Sequence, residues 1–147
     1  MKRGYFAIGI YQPKTKENVG TLWRSAFIMG AQYMFTIGPR YKKQASDTVQ
    51  AWRHIPLMEF QTWEEFCAAR PSGSLLVAVE NGERAIPIKN FCHPERAIYL
   101  LGSEDNGLPD HIVSQCNHKA ILPGNHCMNV AVAGSIAMFD RLNKSAQ

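Results

Sequence analysis

Apolar positions along the chain fall into short runs separated by amphipathic stretches. Tyr5–Tyr11 (YFAIGIY) is an almost unbroken apolar run, the pattern of a strand buried on both faces of a parallel sheet. Residues 12–17 are polar and basic and contain Pro13. From Asn18 to about Gly30 the apolar residues Val19, Leu22, Trp23, Ala26 and Phe27 recur at helical spacing. Asn18 is the expected cap of that helix. Further strands are expected at Tyr33–Ile37, Leu57–Phe60, Ser74–Val79, Ala97–Leu101 and Lys119–Leu122. A short helix is expected over Ser46–Trp52. Thr62 caps a second over Trp63–Ala69, where Glu64 and Glu65 suit the helix dipole. A third spans about Pro109–Gln115, and the last begins at Asn129 and runs to about Asn143. Six strands alternating with helices predict an α/β fold, a mainly parallel sheet flanked by helices. With no repeat, low-complexity segment or linker, residues 1–147 read as one domain.

Composition narrows this picture modestly. Hydrophobic content of 46% provides a core and argues against disorder. A formal net charge of +4 favours an acidic partner only mildly. The four cysteines, Cys67, Cys92, Cys116 and Cys127, form no CxxC pair. They predict neither a disulfide framework nor a zinc site, and no metal is expected. The start Met1-Lys2-Arg3 is basic, but the strand-like run behind it is not that of a signal peptide. No apolar run approaches membrane-spanning length. A soluble cytoplasmic protein is expected.

In an open parallel sheet, ligands lie beyond the carboxyl ends of the strands. Three stretches there are unusual: Asn18–Arg24 after the first strand, Gly102–Pro109 after the Ala97–Leu101 strand, and Ile121–Ala133 at the last strand-to-helix junction. Each joins an apolar strand to glycine or asparagine and a polar group at a helix start. Such junctions let backbone amides meet a ligand. Neither a GxGxxG fingerprint nor a Walker loop is present, which disfavours dinucleotide dehydrogenases and P-loop NTPases. Taken singly, Arg24 reads as a solvated or ion-paired helical arginine, Glu104 as an exposed turn carboxylate and Asn129 as a helix cap.

Together these stretches resemble a known family. Asn18-x-Gly20-x-x-x-Arg24-x-Ala26-x-x-x-Gly30, Leu101-Gly102-x-Glu104-x-x-Gly107-Leu108, and Leu122-Pro123 with Cys127-Met128-Asn129-Val130-Ala131 are similar to the three motifs of the SpoU/TrmH branch of the SPOUT RNA methyltransferases. The resemblance spans nearly the whole chain and is to a minimal, single-domain member like the tRNA wobble-position enzymes. It implies an α/β knot whose C-terminal region forms a deep trefoil knot. It implies S-adenosylmethionine as cofactor and a ribose 2′-hydroxyl of RNA, tRNA or rRNA, as methyl acceptor. It also implies a homodimer with the first and last helices near the interface and the partner helping to form the site.

Residue by residue, the resemblance matches Arg24 to the arginine that acts on the ribose hydroxyl and Asn18 to the asparagine that helps position the catalytic group and the RNA. Glu104 matches the glutamate that orients the loops, and Asn129 the asparagine of the Ser-x-Asn step. The cofactor would be bound by Val79, Glu80, Gly102, Gly107, Ile121, Leu122, Pro123 and Met128. Two positions depart from the pattern: Cys127 stands where the family has serine, and Ala131 where it often has serine or threonine. A thiol donates a weaker hydrogen bond than a hydroxyl. An inactive RNA-binding module on the same fold is therefore the alternative, and a small-molecule enzyme of flavodoxin-like shape is a third. RNA contacts are expected from Lys14, Lys16, Arg40, Lys42 and Lys43, with Arg53 as a further candidate and Tyr41 stacking on a base.

Overall fold

The computed structural model describes residues 4–39 and 54–145. The chain runs β1 (Tyr5–Tyr11), α1 (Lys16–Met29), β2 (Met34–Ile37), β3 (Leu57–Phe60), α2 (Trp63–Ala69), β4 (Leu75–Val79), β5 (Ile86–Pro87) and a 3₁₀ turn (Ile88–Asn90). It continues through β6 (Arg96–Leu101), α3 (Asp110–Val113), β7 (His118–Ile121) and α4 (Val130–Ser145). The seven strands form one sheet in the order β3-β2-β1-β6-β4-β7-β5. Every strand pair is parallel. The expected helix over Ser46–Trp52, and with it Arg40, Tyr41, Lys42, Lys43 and Arg53, lies outside the described residues.

Strand alternation sends successive side chains to opposite faces of the sheet. Phe6, Ile8 and Ile10 of β1 pack with Leu22, Trp23, Tyr99, Val130 and Met138 in a core under α1 and α4. Ala7 faces the other layer, where Phe35, Trp63, Phe66, Leu100 and Ile112 form a core under α2 and α3. Both faces are covered, which explains why the central strands are apolar throughout. Trp23 secures its indole by donating Nε1–H to the Ile55 carbonyl at 3.1 Å. α4 comes close enough to α1 and the sheet that a Cβ on Gly134 would stand 2.5 Å from Leu22 Cδ1 and 2.9 Å from Leu101 Cδ1. The hydroxyls of Ser25 and Ser135 are also hydrogen-bonded at 3.0 Å across the two helices, with Ser135 giving its own proton to the Ala131 carbonyl at 2.7 Å.

Two expectations are corrected. Asn18 does not cap α1. Thr15 does, its hydroxyl accepting the Asn18 N–H at 3.3 Å, and the helix begins at Lys16. A β-branched hydroxyl after Pro13 serves the first turn as well as an asparagine does, and the exchange leaves the Asn18 side chain free. Among the described residues the strand count is seven rather than six. Ile86–Pro87 is too short and too exposed to register as a strand by periodicity, yet it pairs with Ala120 and Ile121 at the sheet edge. No helix of the described residues is long and apolar enough to cross a membrane.

Candidate functional site

Strand order reverses around β1 and β6: the chain builds outward through β2 and β3, then crosses to β4 on the far side of β6. Such a reversal opens a crevice at the carboxyl ends of the strands. A cavity of about 540 Å³ occupies that end. Its walls are the end of β4 (Val79–Asn81), the β6–α3 loop (Leu101–Gly107) and the β7–α4 connection (Leu122–Met128, with Val130 and Ala133).

The β6–α3 loop is held from two sides. Glu80 uses both carboxylate oxygens on backbone amides, accepting Asn81 N–H at 3.0 Å and Leu108 N–H at 2.9 Å. Gly107, at φ +62°, lies so close that a Cβ there would stand 2.6 Å from Glu80 Oε2. The same loop folds on itself through a Ser103–Gly107 bridge, and a Cβ on Gly102 would strike the Gly107 carbonyl carbon at 2.3 Å. From the other side, Lys14 of the β1–α1 loop forms an ion pair with Asp105.

At the far rim, Asn129 caps α4. Its Oδ1 accepts from Ala131 N–H at 2.9 Å and Val132 N–H at 3.2 Å. Its Nδ2 donates to Asn18 Oδ1 at 2.9 Å, joining residues 111 positions apart. The first and third unusual stretches therefore meet beside the cavity.

Of the residues singled out in the sequence, Val79, Glu80, Gly102, Glu104, Gly107, Leu122, Pro123 and Met128 line the cavity. Ile121 does not: it is half-buried on β7 and pairs with Pro87 at the sheet edge. Asn18 and Asn129 stand at the rim, bonded to each other. Arg24 is exposed on α1 and lies outside the lining. Lys16 lies 3.9 Å from Glu17. Sequence reasoning missed Asp105 as the partner of Lys14 and Glu80 as the clamp on Leu108. Both depend on loops meeting in space, for which linear spacing holds no signal.

A model of the SpoU rRNA methylase family matches residues 5–139. The chain belongs to that family. As a SpoU methylase it is an S-adenosylmethionine-dependent methyltransferase acting on a ribose 2′-hydroxyl of RNA. It is 25% identical over 152 residues to a tRNA (cytidine(34)-2′-O)-methyltransferase of Ancylobacter novellus, covering 95% of this chain and 92% of the relative. A second tRNA (cytidine(34)-2′-O)-methyltransferase, from Beijerinckia indica subsp. indica, is 23% identical over 93% of this chain and 90% of its own. Among solved structures, the SpoU methyltransferase AviRb from Streptomyces viridochromogenes in complex with AdoMet superposes with a TM-score of 0.83 at 17% identity. That match covers all of this chain and 60% of AviRb. The AdoMet-bound rRNA methyltransferase from Sinorhizobium meliloti has the same TM-score at 21% identity, and this SpoU methylase spans 57% of its length.

The cavity's residues fit S-adenosylmethionine. Leu101, Leu122, Met128 and Val130 offer apolar surface for a purine. Glu80 at the end of β4 and Glu104 in the β6–α3 loop place negative charge on the lining, which suits a ligand carrying a sulfonium and an ammonium. The Glu80 oxygens are committed to backbone amides, so Glu80 shapes the wall and adds charge without an obvious free acceptor. The two departures from the family pattern have different surroundings. Cys127 is exposed in the cavity lining. Ala131, on α4, is 1% exposed in the core and is not among the residues lining the cavity.

Proposed function

We propose that this SpoU methylase modifies tRNA at the wobble ribose, position 34, as a cytoplasmic homodimer of one-domain chains. The observation that carries the site is the Asn18–Asn129 bond at the rim of a cavity walled by the other two motifs. The substrate rests on the near full-length likeness to the two tRNA (cytidine(34)-2′-O)-methyltransferases. A solved structure described as "Structural insights into the 2-OH methylation of C/U34 on tRNA" adds to it, matching 97% of both chains with a TM-score of 0.83. We also infer the α/β knot, with the chain from Leu122 onward threaded past the β6–α3 loop. Its support is the family, together with the contribution of both segments to one cavity.

Bound S-adenosylmethionine supplies an electrophilic methyl group on a sulfonium. The chain holds the acceptor ribose in line with it and stabilises charge as the hydroxyl oxygen attacks. Lys14 and Lys16 contribute positive charge that attracts the polyanionic RNA. Asn18 and Asn129 fix the sugar at the rim. Arg24 acts by charge: a guanidinium whose pKa lies above about 12 lowers the cost of negative charge on the 2′-oxygen.

Arg24 does not reach its own chain's cavity lining, and the dimer resolves this. Ile28, one turn beyond Arg24 on α1, is 67% exposed, and Val132 and Phe139 on α4 are 50% and 61% exposed. A second copy packed on this two-helix face covers these side chains and brings Arg24 toward the partner's cavity. Mapping 2′-O-methyl marks in RNA from a strain lacking the gene tests the substrate. The mark at position 34 of its tRNA targets should vanish, and an unchanged map overturns the reading.

A further inference from the structure

We propose that Asn129 and Asn18 form a polarity relay that presents the Asn18 amide NH2 as a fixed donor to an acceptor oxygen of the RNA sugar–phosphate backbone. The RNA as ligand rests on the function proposed above; the polarity rests on the hydrogen bonds. Backbone N–H groups only donate, so the Asn129 atom that receives Ala131 and Val132 must be its carbonyl oxygen. That leaves Asn129 Nδ2 pointing at Asn18 with a proton to give, and the receiving Asn18 atom must be its own carbonyl oxygen. Asn18 therefore turns its NH2 away from Asn129. Because Thr15 caps α1, the Asn18 side chain is not drawn into capping. Among the described residues no partner takes that NH2. Asn18 is half-buried, and its bonding partner Asn129 sits in the chain between Met128 and Val130, both of which line the cavity. The first amides of α4 thus set the sign of a group on another helix. A flipped amide would oppose two donors at one end and two acceptors at the other. The site accordingly selects an oxygen acceptor and refuses a donor at this point, with Asn18 touching RNA and Asn129 acting as a positioning residue.

Two isosteric substitutions reverse the outward group by different routes. Asn18→Asp keeps an acceptor for Asn129 but presents an oxygen outward. Asn129→Asp keeps a good cap on α4 but removes the donor, so Asn18 turns its NH2 inward and its oxygen outward. Measured by fluorescence anisotropy with tRNA, each variant should bind about tenfold more weakly, equivalent to about 1.4 kcal/mol. Melting temperature and S-adenosylmethionine affinity should stay at the wild-type value. A purely structural role for Asn129 would leave tRNA binding by Asn129→Asp intact. Wild-type tRNA affinity in either folded variant overturns the relay. If Asn129→Asp does not fold, Asn18→Asp decides alone. Wild-type protein that binds tRNA without methylating it would refute the proposed function and leave the relay standing.

Discussion

Single side chains at this site act chiefly through what they hold still. Arg24 differs: it lies outside the cavity lining, exposed and without a partner among the described residues. Removing it should cost no packing, so Arg24→Ala should keep its melting temperature and bind S-adenosylmethionine normally while methyl transfer falls by about 100-fold or more. That is the scale of losing a charge-stabilising group, and normal turnover would remove Arg24 from the chemistry. Glu80 is the reverse case. Its two oxygens hold Asn81 and Leu108, so Glu80→Gln replaces one acceptor with a donor that faces a backbone N–H. The β6–α3 loop should loosen, weakening S-adenosylmethionine binding by about tenfold in calorimetry, on the scale of one charge-assisted hydrogen bond. The sequence singled out Glu80, Asn18 and Asn129, but not which groups they bond. Glu80 meets Leu108 across 28 residues and Asn129 meets Asn18 across 111, and only the folded sheet brings these loops together.

At the scale of elements, α4 closes the site at its first turn and is anchored by its last two. Arg141, 9% exposed, donates to the Pro94 and Glu95 carbonyls and to the Tyr99 hydroxyl. With Arg141 donating, the Tyr99 proton goes to His93 Nδ1 at 2.6 Å, and His93 Nε2–H is left to donate to Asp140 at 2.7 Å. Lys144 completes the cluster, 2.8 Å from Asp140 and bonded to the carbonyls of Ile88 and Phe91. Burial holds His93 below its ordinary 6.5, despite the pull of Asp140. For Asp140 burial pushes upward, but hydrogen bonds from Lys144 and His93 outweigh it and hold the carboxyl below 3.8.

The unfolded chain thus takes up a proton at His93 near pH 6.5, and the native chain only at lower pH. Stability is full above pH 6.5 and falls as pH drops from 6.5 toward the lower native value, with a second loss in the acid range as Asp140 is protonated. Denaturant titrations from pH 8 to pH 5 should show the first loss in wild type and not in His93→Asn. The front of the same helix depends on Gly134. Gly134→Val should cost about 1–3 kcal/mol by forcing Leu22 and Leu101 apart, seen as a melting temperature lower by several degrees.

Over the whole molecule, most of the architecture was legible in the sequence because both faces of the sheet are buried. Tyr5–Tyr11, Leu57–Phe60 and Trp63–Ala69 occur with the expected bounds. The two-residue β5 and the Thr15 cap were not legible, since neither leaves an apolar period. Val79, Glu80, Gly102, Gly107, Leu122, Pro123 and Met128 of the cavity lining are positions the family resemblance implies. The position of Arg24 outside the lining was not legible, because helical spacing along α1 does not say which of its turns reaches the strand ends. Phe139→Glu places a charge in the exposed face of α1 and α4. Sedimentation should report a dimer for wild type and a monomer for the variant, with methyl transfer lost alongside.

The most direct measurement is tritium transfer from labelled S-adenosylmethionine to a tRNA carrying either a ribose or a 2′-deoxyribose at position 34. The ribose tRNA should take up label that digests to a 2′-O-methylated nucleoside, and the deoxy tRNA should take up none. Equal labelling of both, or label recovered in a methylated base, would contradict the account.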